Sequence, residues 1–105
     1  MGERARLCGR EELASGEARR FDVAGHRIAL IRIDDEFYAI GDRCSHANYS
    51  LSEGQVYAED REIECWKHGS TFSLVTGEAL CLPATRPVPT YEVDVQGDEV
   101  TVVLP

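Results

Sequence analysis

The chain has 105 residues, which is enough for one domain with a limited hydrophobic core. Its formal charge of −8 argues against binding to nucleic acid, whose phosphates require Lys and Arg. The acidic balance is compatible with steering toward a basic partner, and equally with an acidic surface that only maintains solubility. No segment approaches the apolar length of a membrane span or resembles a signal peptide, so we expect a cytoplasmic protein that binds no membrane.

Short segments rich in β-forming residues dominate both ends of the chain. In chain order they are 21–23, 27–33, 36–40, 91–95 and 100–104, with turn-forming residues between them. The last two flank a turn at 96–98, which predicts a hairpin with one buried face. A short helical turn is expected at 11–14. These patterns predict an all-β fold with an antiparallel β-sandwich or barrel base.

Residues 42–89 have a different composition, with several glycines and three of the four prolines. We expect this segment to be a cluster-binding subdomain inserted in the base of a single domain, 1–105. It contains two motifs, Cys44-Ser45-His46 and Cys65-Trp66-Lys67-His68, separated by the eighteen residues 47–64. Two loops that each place a Cys ahead of a His are a much stronger signal than an isolated Cys.

Two thiolates and two neutral imidazoles can bind two kinds of metal centre. They form the ligand set of a Rieske [2Fe–2S] centre, in which two His replace two Cys on one of the irons. The same set also suits a tetrahedral Zn²⁺ ion. Structural zinc usually has about two to four residues between paired cysteines, so the single residue between Cys44 and His46 is unusual for zinc. Colour separates the alternatives, because a zinc protein is colourless.

Segments outside the ligand motifs resemble stand-alone bacterial Rieske ferredoxins. They are Leu51-Ser52-Glu53-Gly54, Gly69, Thr76-Gly77 and Leu82-Pro83-Ala84-Thr85, and the resemblance extends over about residues 23–103. It implies a Rieske-like fold with one [2Fe–2S] cluster per chain. It also implies that Cys44 and Cys65 hold the inner iron, and that His46 and His68 hold the outer iron and face a redox partner.

The resemblance also implies how the cluster is tuned. Tyr49 and Lys67 stand where high-potential Rieske proteins carry a disulfide, and Phe72 stands where they carry a Tyr that bonds a cluster sulfur. Ser70 matches a serine that can donate to a bridging sulfide. With fewer donors, the reduced cluster is less stabilised, and we expect a potential nearer about −150 mV than about +300 mV. Pro83 is expected to rigidify a loop that shields the cluster.

Four other residues could take part in a site. We expect Cys8 to lie in a strand at 6–8 and in the core, and Cys81 to be a buried apolar filler rather than a thiol next to the cluster. His26 is expected to be solvated in a hairpin turn and not to be a ligand. Trp66 either packs under its loop or presents a flat surface to a partner.

The expected function is soluble one-electron transport and not catalysis. The chain lacks a second His and carboxylate set for mononuclear iron, and it lacks a Gly-rich nucleotide-binding motif. The resemblance implies that a flavin-dependent reductase supplies the electron and that a terminal oxygenase accepts it, as in multicomponent aromatic-ring dioxygenases. Two alternatives stay open: an accessory Rieske protein of iron–sulfur cluster assembly, and the small subunit of a nitrite reductase.

Overall fold

The computed structural model describes residues 3–44, 49–67, 69–82 and 84–105. The strands are β1 (Glu3–Gly9), β2 (Ala18–Val23), β3 (His26–Ile33), β4 (Glu36–Gly41), β5 (Gln55–Tyr57), β6 (Glu62–Glu64), β7 (Thr71–Ser73), β8 (Thr90–Gln96) and β9 (Glu99–Leu104). Helical structure in the described residues is limited to two 3₁₀ turns, Arg10–Glu12 and Leu51–Glu53. None of these helices is long and apolar enough to cross a membrane. The all-β prediction is confirmed.

The base is a six-stranded antiparallel sheet in the order β1-β9-β8-β4-β3-β2. Its hairpins turn where the sequence predicts, through the two-residue loops 24–25, 34–35 and 97–98. Ala24, Asp34 and Gly97 have positive φ angles of 49°, 55° and 59°. Such angles are typical of tight hairpin turns, whose twist matches that of the flanking strands. These local turns fix the pairing of β2 with β3, β3 with β4, and β8 with β9.

β3 separates two hydrophobic cores. Its run 28–31 is fully buried and continuous instead of alternating, which is typical of a strand covered on both faces. Ile28 and Leu30 point into the base core with Val100 and Val102 of β9. The residues on the opposite face of β3 point into a second core, which is composed of Ala29, Ile31, Ile33, Ile40, Cys44, Leu51, Ile63, Cys65, Phe72, Leu74, Ala84 and Val88.

The second core lies beneath a small antiparallel sheet in the order β5-β6-β7. Ile63 of β6 is its central residue, paired with Val56 of β5 and Phe72 of β7. Both Cys44 and Cys65 belong to this core. The small sheet and β3 together therefore position the two cysteines of the predicted metal site.

Two of the sequence-based predictions concern the N-terminal region. Cys8 lies in β1 and is 3% exposed in the base core, which confirms its predicted place, and burial raises the pKa of its thiol. The helical turn expected at 11–14 lies one residue earlier, at Arg10–Glu12. Leu13, which follows it, is extended and buried, so its side chain anchors the turn to the base core.

Candidate metal centre

The two cysteine loops are built in the same way. In the first loop (44–49), the Cys44 N–H donates to the Tyr49 carbonyl at 2.9 Å. In the second loop (65–70), which joins β6 to β7, the Cys65 N–H donates to the Ser70 carbonyl at 2.7 Å. Each cysteine thus closes its loop by bonding the residue five positions later, and each thiol stands at the base of a closed loop.

Both thiols are shielded from water. Cys44 is 2% exposed and Cys65 is 0% exposed, within the same apolar cluster as Leu51 and Phe72. Neither of these cysteines forms a disulfide. Buried thiols at the bases of two matching loops fit the inner-iron half of a [2Fe–2S] site, where exclusion of solvent is one determinant of the potential.

The other half of the predicted ligand set is not placed by the structure. His46 and His68 lie outside the described residues, as does Pro83. Only the sequence assigns them to the loops: His46 lies between Cys44 and Tyr49, and His68 lies between Cys65 and Ser70. The ligand roles of both histidines, and the role of Pro83 in shielding the cluster, remain predictions.

Ser70 and Phe72, the two residues predicted to tune the cluster, lie at the end of the second loop and in the strand β7 that follows it. Ser70 is fully buried, and its Oγ accepts a hydrogen bond from the Ala84 N–H at 3.0 Å. A hydroxyl that accepts one bond still has a proton to donate, so Ser70 retains the capacity predicted for it. Phe72 is also fully buried and offers no hydroxyl in the second core.

Three side chains join the two loops at the surface. The Tyr49 and Trp66 rings meet edge to face, with centroids 5.1 Å apart and an interplanar angle of 81°. The Lys67 Nζ lies 6.0 Å from the Tyr49 centroid and 5.9 Å from the Trp66 centroid. Trp66 is 52% exposed, so it presents a surface and does not pack under its loop.

A negative charge lies directly before the second loop. The Tyr57 hydroxyl donates to the Glu64 carboxylate at 2.6 Å, and this hydrogen bond raises the pKa of Tyr57. Glu64 precedes Cys65, so its carboxylate is held close to the base of the loop. A fixed negative charge there disfavours the added electron of a reduced cluster, consistent with a low potential.

Sequence reasoning missed Asp42, which is fully buried beside the first loop. Its N–H donates to the Arg27 carbonyl at 3.0 Å, and its carbonyl accepts from the Leu51 N–H at 2.5 Å. Its Oδ1 accepts from the Ser52 N–H at 2.8 Å, and its Oδ2 lies 3.9 Å from the Arg20 Nε. Asp42 therefore ties β3 to the 3₁₀ turn after the first loop. The available signal was an acidic residue that directly follows an apolar strand and stands two positions before Cys44, a predicted ligand.

Replacing Asp42 with alanine is expected to lower the free energy of unfolding by about 1–3 kcal/mol, because the part-buried Ser52 N–H loses its acceptor. Asp42→Asn keeps an acceptor oxygen and should lose less. Urea denaturation followed by circular dichroism measures both variants. Wild-type stability of Asp42→Ala would show that this hydrogen bond does not hold the loop.

The prediction that Cys81 is a buried filler is wrong. Cys81 is exposed, and its Sγ lies 3.2 Å from the Thr71 Oγ1 and 3.4 Å from the Gly69 carbonyl, to which it donates. The neighbouring Leu80 and Leu82 are 46% and 75% exposed, so this apolar segment runs along the surface instead of through the core. Cys81 thus connects the segment to the second loop.

His26 is also more enclosed than expected. It is the first residue of β3 and is half-buried against Tyr91, with ring centroids 5.8 Å apart. The Tyr91 hydroxyl lies 3.4 Å from the His26 Nδ1, and burial raises the pKa of Tyr91. His26 is therefore partly shielded by Tyr91 instead of fully solvated, and the two rings meet edge to face.

The family model of the Rieske [2Fe-2S] domain matches residues 3–92. The chain belongs to the Rieske family. This Rieske protein is 48% identical over 98 residues to the ferredoxin subunit of 3-phenylpropionate/cinnamic acid dioxygenase from Shigella boydii serotype 4 (strain Sb227). The alignment covers 93% of this chain and 91% of that relative. The Escherichia coli (strain K12) ferredoxin subunit of the same name matches with the same identity and coverage.

Solved structures agree with this assignment. The ferredoxin of carbazole 1,9a-dioxygenase from Nocardioides aromaticivorans IC177 superposes with a TM-score of 0.92 at 38% identity, covering 97% of each chain. A second match is a chain in a complex of reduced oxygenase and oxidized ferredoxin in carbazole 1,9a-dioxygenase, with a TM-score of 0.87 at 36% identity, covering 94% of this chain and 91% of that one.

These findings bear on the kind of metal centre and on the class of protein. A Rieske domain implies a [2Fe–2S] cluster, so the zinc alternative is not supported. The relatives are ferredoxin subunits, which are electron-transfer components and not catalytic enzymes, and the prediction of an electron carrier is confirmed. Similarity to a nitrite reductase small subunit from Mycobacterium tuberculosis, at 21% identity and a TM-score of 0.90, shows the shared fold alone.

Proposed function

We propose that this Rieske protein carries one electron at a time from a flavin-dependent reductase to a terminal oxygenase. The observation that supports the proposal best is the pair of matching loops, each closed by a buried cysteine, in a chain 48% identical to a dioxygenase ferredoxin subunit. The bound cluster supplies the one-electron redox chemistry. The protein itself must hold the cluster, exclude water from it and present one side to each partner in turn.

The ligand proposal is specific. One cluster per chain is held by Cys44 and Cys65 on the inner iron and by His46 and His68 on the outer iron. The residues 1–105 form a single Rieske domain, with 42–89 as the cluster-binding subdomain. A cytoplasmic location suits this assignment, because a reducing compartment keeps free cysteines from forming disulfides.

Exposed apolar side chains beside the second loop support contact with a partner at this end of the molecule. Leu82 is 75% exposed in the segment that Cys81 connects to the second loop, and Trp66 is 52% exposed within the loop. Exposed apolar side chains that are grouped at one place are typical of contact sites. Electron transfer through this end would keep the distance to the cluster short.

The test is reoxidation of the reduced protein by a candidate terminal oxygenase, followed by stopped-flow absorbance. Leu82→Ser is expected to lower the second-order rate constant about tenfold, the effect of losing about 1.4 kcal/mol of contact. Val95→Ser is the matched control, because Val95 is 36% exposed on β8 of the base. Equal rates for both variants would contradict docking at this end, and failure of every candidate oxygenase to accept electrons would contradict the proposed function.

The midpoint potential tests the residues that tune the cluster. We expect the wild-type value near about −150 mV, at the low end of the Rieske range. Phe72→Tyr should shift it to a more positive value, because a buried hydroxyl at this position can donate toward the cluster sulfur. Phe72→Leu keeps an apolar residue and controls for repacking. Protein-film voltammetry measures all three. A wild-type value well above zero, or equal shifts in both variants, would refute the explanation.

A further inference from the structure

We propose that Tyr49, Trp66 and Lys67 form a non-covalent clasp that ties the two cysteine loops together and holds a positive charge beside the cluster. The proposal rests on the ligand roles of Cys44 and Cys65 in the proposed function. It assigns a positioning role to three residues that bind no metal themselves.

Tyr49 is the fixed part of the clasp. Its carbonyl accepts the hydrogen bond from the Cys44 N–H that closes the first loop. Its half-buried side chain packs against the second core, which also contains both cysteines. Because its backbone and its ring are both anchored, Tyr49 holds a defined position relative to the first loop.

The second loop supplies the other two members. Trp66 and Lys67 follow Cys65 directly, and the edge-to-face geometry of Trp66 on Tyr49 is a favourable aromatic arrangement. The Lys67 ammonium lies about equally far from the two rings, at 6.0 and 5.9 Å, within the range of cation–π attraction. The ammonium is thus shared by one ring from each loop.

This arrangement occupies the positions where the sequence resemblance places a disulfide in high-potential relatives. A shared cation between two rings holds the loops more weakly than a covalent bond, and it adds a charge that a disulfide lacks. A positive charge close to Cys65 favours the reduced and more negative form of the cluster. It opposes the effect of the Glu64 carboxylate, which directly precedes Cys65 in the chain.

The test measures two quantities on the cluster-containing protein. The first is the rate of cluster loss in excess EDTA, from the decay of visible absorbance. The second is the ratio of reduced to oxidised protein at a fixed applied potential. Lys67→Met and Tyr49→Leu should each lose the cluster about two to five times faster, which is the scale of a cation–π contact. Lys67→Met should also lower the reduced-to-oxidised ratio about threefold.

Matched variants separate the clasp from simpler explanations. Lys67→Arg and Tyr49→Phe keep the cation and the ring and should stay within about twofold of wild type. Arg43→Met removes an exposed positive charge directly before Cys44 and tests for a charge effect without a clasp. In the double variant Tyr49→Leu/Lys67→Met, the two effects on cluster loss should be less than additive.

The outcomes distinguish failure of the clasp from failure of the proposed function. Wild-type rates in Lys67→Met and Tyr49→Leu, or fully additive effects in the double variant, would overturn the clasp while the cluster assignment stands. Equal changes in Arg43→Met and Lys67→Met would also overturn it, since they reduce the role of Lys67 to its charge. A wild-type protein that binds no cluster after reconstitution with iron and sulfide would instead refute the ligand assignment.

Discussion

Cys65→Ser is expected to abolish the visible absorption of the purified protein and its rhombic EPR signal after reduction. A serine hydroxyl is a poor replacement for a thiolate on iron, and Cys65 is fully buried at the base of the second loop. The other cysteines provide matched controls. Cys8→Ser alters the base core and Cys81→Ser alters the surface, and both variants should keep the cluster.

The control variants also define what would contradict the ligand assignment. A coloured Cys65→Ser protein with the wild-type EPR spectrum would remove Cys65 from the ligand set, and a colourless Cys81→Ser protein would add Cys81 to it. His68→Cys tests the imidazole half. It should convert the spectrum toward that of a plant-type cluster and lower the potential toward about −400 mV. An unchanged spectrum would exclude His68 as a ligand.

Gly54→Ala is expected to lower the free energy of unfolding by at least about 3 kcal/mol. A β-carbon at this position would overlap the Glu64 carbonyl oxygen and would lie 3.2 Å from the Leu51 carbonyl oxygen. Both contacts are with backbone, which cannot move aside as a side chain can. The added β-carbon would push the Glu64 backbone away. Because Glu64 ends β6 directly before Cys65, this movement would also shift the second loop.

Gly16→Ala is the matched control for this prediction. Gly16 has a φ of 87°, but a β-carbon added there would meet nothing within 4 Å beyond its chain neighbours. The free energy of unfolding of Gly16→Ala should therefore fall only by the backbone strain that alanine introduces at this φ, about 1–2 kcal/mol. Urea denaturation of both variants, with cluster absorbance recorded in parallel, measures the difference. If Gly54→Ala is no less stable than Gly16→Ala, the close approach of the two backbones does not constrain the loop.

The sequence was sufficient for the base but not for the small sheet. Continuous β-forming runs and two-residue turns predicted β2, β3, β4, β8 and β9, and the predicted strand at 6–8 lies within β1, because these signals are local. β5, β6 and β7 have three residues each, too few for a periodic pattern to be recognised. Their pairing depends on the second core, where Ile63 and Phe72 meet residues that are distant in the chain.

The candidate site shows the same division. Spacing and residue type identified both cysteines of the motifs, and the structure buries both in one core. Composition misled for Cys81, because an apolar neighbourhood in sequence does not determine whether a segment lies under or over the surface. The sequence did not predict the role of Asp42, because its partners Ser52 and Arg20 are distant in the chain and come close to it only in the folded protein.

The pairing of β4 with β8 has a consequence for the length of the segment that lies between these two strands. Only two residue pairs, Ala39 with Tyr91 and Ile40 with Thr90, join these strands. The chain therefore leaves the base at β4 and re-enters it at the neighbouring strand β8, while the segment between them packs against β3 through the second core. The entropic cost of closing such a loop grows only logarithmically, by about 0.6 kcal/mol for each doubling of its length. Lengthening of the exposed turn at 58–60 between β5 and β6 should therefore cost little, whereas Leu51 and Ile63, which cover β3, must be kept.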